Sequence, residues 1–171
     1  MMLAAQLIGA VGIICSIFSF QHKERKRVML FQTLASFLFC VQLFMVGAVT
    51  GGLVDFISLI RTVIFSQNHK KWASSSDWLI IFIFAMVVSG IFTWQNGWSI
   101  LPILGSVLST VALWMKKASH IRFVSLFVGP CWFIYCLVHS AYTGALNEVF
   151  AMISIIIGIV RYDLKNKTKK G

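Results

Sequence analysis

The sequence predicts an all-α membrane protein in which seven transmembrane helices form two parallel three-helix repeats joined by a linker helix. Three observations support this fold class. The 171 residues are 58% hydrophobic and only 12% charged, which is more apolar surface than one soluble core can bury. Seven apolar stretches have roughly the length that crosses a bilayer, about 17 to 25 helical residues. A short motif in the third stretch also recurs in the seventh.

The seven predicted spans follow one another with short polar or glycine-containing connections, so neighbouring helices should be antiparallel. In chain order they cover residues 3–20, 28–46, 50–66, 77–94, 99–115, 121–139 and 143–161. The first span precedes the basic segment QHKERKR, whereas a secretory signal has its basic residues in front. We therefore expect the first span to be retained in the protein.

The positions of lysine and arginine predict the orientation, because basic loops remain on the cytoplasmic side. The connections after spans one, three, five and seven contain fourteen of the fifteen basic residues, and the other connections contain none. The amino terminus is therefore expected outside and the carboxyl terminus in the cytoplasm. The net charge of +10 is typical of a cytoplasmic face that contacts anionic lipid, so the bilayer is an expected partner and nucleic acid is not.

An internal repeat divides the chain. The segment AVTGGLVDF at residues 48–56 recurs as AYTGALNEV at 141–149, an offset of 93 that aligns Asp55 with Glu148. Farther back, QLIGAV from Gln6 is similar to PILGSV from Pro102. Fixed-period self-similarity indicates repeated structure, so spans one to three pair with spans five to seven. The predicted units are a first repeat at 1–75, a linker helix at 76–97, and a second repeat with a basic cytoplasmic tail at 98–171.

This plan of three, one and three helices resembles the SWEET sugar transporters and their PQ-loop relatives. More closely, LPILGSVLSTVALWMKK and GPCWFIYCLVHSAYTGALNEVFAMISIIIGIVRY are similar to the YgjV-like family of bacterial inner-membrane proteins, over nearly the whole chain. The resemblance implies a SWEET-like fold and a multi-pass protein of the bacterial inner membrane, and it implies no particular solute. The chain lacks the Pro-Gln dipeptide, and its candidate hinge prolines are Pro102 and Pro130, both in the second repeat.

Asp55 and Glu148 are the main candidates for a functional site. A helical rise of about 1.5 Å per residue puts Asp55 roughly 8 Å from Thr50, and Glu148 has the same depth in the other repeat. The two acids would then face a shared crevice, and ionisable residues within spans usually line a pathway for a solute or a proton. The alternative is that both are helix-end residues stabilised by the helix dipole and close to water.

Residues at similar depth extend this candidate site. At the offset of 93, Gln42 corresponds to Tyr135 and Phe39 to Trp132. In SWEET-type proteins an asparagine on the third helix of each half and neighbouring aromatic residues hold the solute, so the resemblance implies this role for Asn147 and Trp132. The first repeat has no asparagine at the equivalent place. For the aromatic residues, packing between helices is the alternative.

Arg61 is the one basic residue outside the four basic connections, and Ser154 occupies its place in the second repeat. Arg61 follows Asp55 by six positions, so the two do not form an ordinary i,i+4 pair. The favoured interpretation is that the guanidinium extends to the inner face near Ser66, about 8 Å away. The alternative is a gate or an anion contact in the inner half.

These features favour a small transporter or facilitator of a polar solute, sugar-like or coupled to protons. The alternative is a non-transporting scaffold, receptor or assembly factor with the same fold, and a homo-oligomer is left open. An enzyme is not expected, because no nucleophile or metal cluster accompanies the two acids. The four cysteines form no CxxC pair and have no histidine partner at ligand spacing, so neither a metal nor a cofactor is expected.

Overall fold

A computed structural model of the protein describes residues 2–21, 25–67, 75–115 and 118–160. These residues form seven α-helices and a short 3₁₀ turn, Gly97–Ser99, and they contain no strand. The seven helices confirm the predicted number and follow the predicted spans closely. In chain order they are α1 (Met2–Gln21), α2 (Arg25–Met45), α3 (Val49–Ser66), α4 (Asp77–Phe92), α5 (Ile100–Trp114), α6 (Ala118–Val138) and α7 (Tyr142–Gly158).

The surface of the helices is apolar to an extent that fits a bilayer. Leu3 on α1 is 81% exposed, and Phe84 and Phe92 on α4 are 68% and 85% exposed. Extensive exposed apolar surface is typical of proteins that contact a membrane or a partner. Among the described residues, two helices are both long and apolar enough to cross a membrane, Gly97–Trp114 and His120–Val138, and four other apolar helices are shorter. Crossing by all seven helices stays a prediction.

The helices pack mainly in chain order. A first group, α1–α3, and a second group, α5–α7, each have their middle helix against the other two, and α4 contacts α3 and α5. The most extensive contacts between the two groups are those of α3 with α5 and of α1 with α7. The first helix of each group therefore packs against the third helix of the other.

The α2–α3 and α6–α7 turns have the same backbone conformation. Gly47 and Ser140 both have a positive φ, 79° and 58°. The alanines that follow have φ and ψ of −81° and 63° at Ala48, and of −85° and 61° at Ala141. Each alanine amide donates back to a carbonyl of the preceding helix, at 2.9 Å and 2.8 Å. The matched residues are 93 positions apart, the offset of the sequence motif.

Replacing Gly47 with alanine should lower the free energy of unfolding by about 1 kcal/mol, because the left-handed conformation is unfavourable for a residue with a Cβ. An added Cβ would meet no atom within 4 Å, so the change reports on the backbone alone. Thermal unfolding of the purified protein measures the effect. Gly97→Ala is the matched control, since its Cβ also meets nothing within 4 Å; equal melting temperatures for the two variants would contradict the expectation.

The first turns of α3 and α7 are capped by the opposite group. The N-cap residue of both helices is an alanine and makes no side-chain hydrogen bond, which makes it a poor cap. Instead, the Gly51 N–H donates to Tyr135 Oη at 2.9 Å, and the Thr143 N–H donates to Gln6 Oε1 at 3.2 Å. Amides at a helix start have no partner within the helix, so these bonds tie the two groups together where α3 and α7 begin.

Candidate functional site

A cavity of about 220 Å³ lies between the two groups and is lined by residues of α2, α3, α5, α6 and α7. By this measure one water molecule needs only about 10–15 Å³, so the cavity has room for a small solute. Seven of the residues singled out in the sequence line it: Phe39, Gln42, Asp55, Arg61, Trp132, Asn147 and Glu148. Residues far apart in the sequence are thereby brought around one space.

Asp55 and Glu148 occupy equivalent places, each being the seventh residue of its helix, α3 or α7. Neither helix has an acidic residue in its first turn. The dipole effect fades beyond the first turn, so it contributes little to the stability of either carboxylate. Both side chains are half-buried and repel each other electrostatically, and the Asn147 side chain hydrogen-bonds Glu148. Two carboxyl groups thus share the cavity.

Arg61 does not extend to the inner face, so the favoured interpretation of this residue was wrong. Its side chain is only 5% exposed. Its Nη1 donates to Ser106 O at 3.2 Å, to Ser109 Oγ at 2.8 Å and to Thr110 Oγ1 at 2.5 Å. The reason is that α5, packed against α3, offers three oxygen acceptors at this depth. The Nε of Arg61 has no hydrogen-bond partner among the described residues.

The charges around the cavity are asymmetric. Its lining includes two carboxylates, one from each group, and a single guanidinium, which belongs to the first group. Ser154, the counterpart of Arg61 at the offset of 93, is exposed on α7. Asp55 and Arg61 attract each other, which partly offsets the repulsion between the carboxylates.

Phe39 and Trp132 both line the cavity, and each packs on a glycine of the first helix in its own group. A Cβ added at Gly12 on α1 would lie 3.1 Å from the Phe39 ring, and one added at Gly105 on α5 would lie 3.0 Å from the Trp132 indole. A side chain at either glycine would require the aromatic ring to shift by a few tenths of an ångström. The two predicted aromatic positions are therefore wall residues of the cavity held by helix packing.

Tyr135 and Gln42, which correspond in the repeat, both reach across to the opposite group. The ring of Tyr135 is fully buried, and its hydroxyl is the acceptor for Gly51; it is not among the cavity-lining residues. Gln42 Nε2 donates to Thr143 Oγ1 at 2.6 Å and to Gln6 Oε1 at 3.2 Å. Tyr135 thus joins helices beside the site, whereas Gln42 both joins helices and faces the cavity.

The two prolines lie in different settings. Pro102 is fully buried in the first turn of α5, where a missing N–H breaks no helical bond. Pro130 lies inside α6, which continues to Val138, and is exposed. The predicted hinge role of these prolines stays a prediction.

Sequence reasoning did not single out Ser36 and Ser106, which also line the cavity. Ser106 is 1% exposed, and its Oγ has no hydrogen-bond partner among the described residues. Serines in membrane helices commonly bond to their own backbone or fill packing positions. No pattern in the sequence distinguishes these two from such residues.

Comparison with known proteins gives two matches. A family model described as a bacterial inner membrane protein, Imp-YgjV, matches residues 3–166. The inner membrane protein YgjV of Escherichia coli (strain K12) is 24% identical over 158 residues, which are 92% of this chain and 84% of the relative. No solved structure matches the chain.

Proposed function

Because the chain belongs to the Imp-YgjV family of bacterial inner membrane proteins, as the sequence predicted, we propose that it passes a small polar solute through the cavity between its two three-helix groups. The observation that carries this proposal is the cavity itself. Five helices from both groups line it, and its wall contains two carboxylates and a guanidinium. Charged residues inside a membrane are costly and usually mark the pathway of a solute or ion.

A SWEET-like arrangement supports the proposal. In this arrangement residues 1–75 and 98–171 are parallel repeats, and 76–97 is the linker helix. The matching turns, the reciprocal contacts of first and third helices, and the exchanged caps of α3 and α7 are what a pseudo-twofold axis along the membrane normal would produce. Transporters built from such repeats bind their solute between the halves near the bilayer midplane.

The proposed topology has seven spans, with the amino terminus outside and the carboxyl terminus in the cytoplasm. It rests on the distribution of lysine and arginine. Much of that charge lies in residues 22–24, 68–74, 116–117 and 161–171, which are outside the described residues. The α2–α3 and α6–α7 turns would then face the periplasm.

A cysteine at Ser58 tests passage without knowledge of the solute. Ser58 lines the cavity, and a carrier opens its site to each side of the membrane in turn. In a chain whose four native cysteines are replaced by alanine, Ser58→Cys should react with a membrane-impermeant thiol reagent from both sides. Labelling is measured in spheroplasts and in inside-out vesicles.

The matched control is Ser154→Cys in the same background. Ser154 is exposed on α7 at the depth of Arg61, so its thiol should face lipid and remain unlabelled from either side. Reaction of Ser58→Cys from one side only, or from neither, would instead favour the alternative of a scaffold, receptor or assembly factor that keeps the fold without transport.

A further inference from the structure

The charges of the cavity indicate which class of solute it takes. We propose that the cavity binds a small zwitterion, with an ammonium group between Asp55 and Glu148 and a carboxylate at Arg61. This inference rests on the proposed transport function and specifies its solute.

The carboxylate end of the site is built from two buried polar atoms without partners. Arg61 Nε and Ser106 Oγ have no hydrogen-bond partner among the described residues. The two side chains are 5% and 1% exposed, and both line the cavity. Buried donors are nearly always satisfied in proteins. A guanidinium edge beside a hydroxyl is a donor set that suits a carboxylate.

The guanidinium is held in place before any solute binds. Its Nη1 is fixed by three oxygens of α5, those of the Ser106 carbonyl and the Ser109 and Thr110 hydroxyls. These bonds leave the Nε edge free for a further acceptor. A donor that is already oriented loses little conformational entropy on binding, so this edge forms a prepared subsite.

The ammonium end is formed by the repeated acids. Asp55 and Glu148 come from opposite groups and repel each other across the cavity, and a cation between them would offset that repulsion. The described residues contain no group of three or more His, Cys, Asp or Glu side chains able to hold a metal ion. An organic ammonium, which needs only acceptors around it, fits this pair.

The two ends are separated along the membrane normal. Arg61 follows Asp55 by six positions on α3, which is a rise of about 9 Å between their Cα atoms. A solute with several methylene groups between its charges would contact both ends at once. A neutral sugar would bring neither a cation to the two carboxylates nor a charged acceptor to the Nε edge of Arg61, and buried charges are stable only when they are paired. Since Ser154 replaces the guanidinium in the second group, the site takes one carboxylate.

Binding by the purified full chain tests the inference with β-alanine, 4-aminobutyrate and 6-aminohexanoate as probes. At least one of them should raise the melting temperature, because a ligand of the folded state stabilises it. It should also bind about tenfold or more tightly than butyrate, butylamine or glucose, since each charge-assisted hydrogen bond contributes roughly that factor. Failure of all three zwitterions to bind, or equal binding of a singly charged or neutral probe, overturns the inference.

Variants assign the two ends of the probe. Ser106→Ala should weaken the binding of the zwitterion and of butyrate roughly tenfold and leave the binding of butylamine unchanged. Arg61→Lys should have the same effect, because a lysine lacks the planar fork of donors. Asp55→Asn should weaken the binding of the zwitterion and of butylamine and leave the binding of butyrate unchanged. Ser154→Ala, on the exposed face of α7, is the control and should change nothing. Unaltered zwitterion affinity in Ser106→Ala and Asp55→Asn would overturn the inference.

Exchange of the same probes across proteoliposomes separates this inference from the proposed function. Tight binding of a zwitterion without exchange would support the assigned site and count against transport. Exchange of glucose, with no binding of any zwitterion, would support transport and overturn the assigned solute class.

Discussion

Replacing Arg61 with methionine is expected to lower the free energy of unfolding by about 3 kcal/mol, because removing one partner of a buried charge pair leaves the other uncompensated. In this protein Asp55 and Glu148 would share the cavity with no positive charge in its wall. The lost hydrogen bonds matter less, because the Ser106 carbonyl still accepts from the Ser109 and Thr110 hydroxyls at 3.1 Å and 2.6 Å. The expected loss is therefore mainly electrostatic.

Adding Asp55→Asn to Arg61→Met should restore most of the lost stability, since it removes one of the two unbalanced negative charges. Chemical denaturation in mixed micelles measures the free energy of unfolding of the unchanged protein, of Arg61→Met and of the double variant. Ser154→Met provides the control, because it adds the same side chain on the exposed face of α7 and should leave stability nearly unchanged. Strictly additive costs in the double variant would show that Arg61 and Asp55 are not electrostatically coupled.

Replacing Gly51 with alanine should also cost about 3 kcal/mol, through overpacking and a lost buried hydrogen bond. The added Cβ would overlap Cε1 of Tyr135 and lie 2.9 Å from its Cζ. The ring is 0% exposed, so the added Cβ must displace either the ring or the start of α3. Movement would break the bond from the Gly51 amide to the Tyr135 hydroxyl, which links the two groups.

Gly144→Ala is the matched control for this change, since Gly144 is the counterpart of Gly51 in the repeat. A Cβ at Gly144 would have Cys136 Sγ as its nearest neighbour, at 3.1 Å, a contact that a small shift can relieve. The loss of stability should therefore be clearly smaller than for Gly51→Ala. Adding Tyr135→Leu to Gly51→Ala should recover part of the loss, and an equal effect of the two glycine variants would refute this explanation.

The positions of the helices could be predicted from the sequence because long apolar runs interrupted by polar connections have few other structures available to them. The third span, expected at 50–66, is observed as Val49–Ser66. Asp55 and Glu148 could be found for a related reason. A carboxylate inside an apolar run is costly, so its presence is itself a signal. Their meeting at one cavity followed from the offset of 93 residues.

The directions of individual side chains could not be predicted, because they depend on which helices are neighbours. The bonds of Arg61 require α5 to pack against α3, and the buried position of Tyr135 requires α6 to approach the start of α3. Neither of these contacts between helices is encoded in a local sequence pattern. The same holds for Ser106, whose importance comes from the guanidinium beside it and from its own unpartnered hydroxyl.

The matching turns at residues 46–48 and 139–141 allow the two groups of helices to be compared within one chain. One turn is made with Gly47 and the other with Ser140, yet the backbone is the same. The threonines that follow have acquired different partners: Thr50 donates to the Thr93 carbonyl, whereas Thr143 donates to Gln6 Oε1. The same backbone turn is thus compatible with different side-chain partners, so the two groups share a frame and differ in the contacts that it supports.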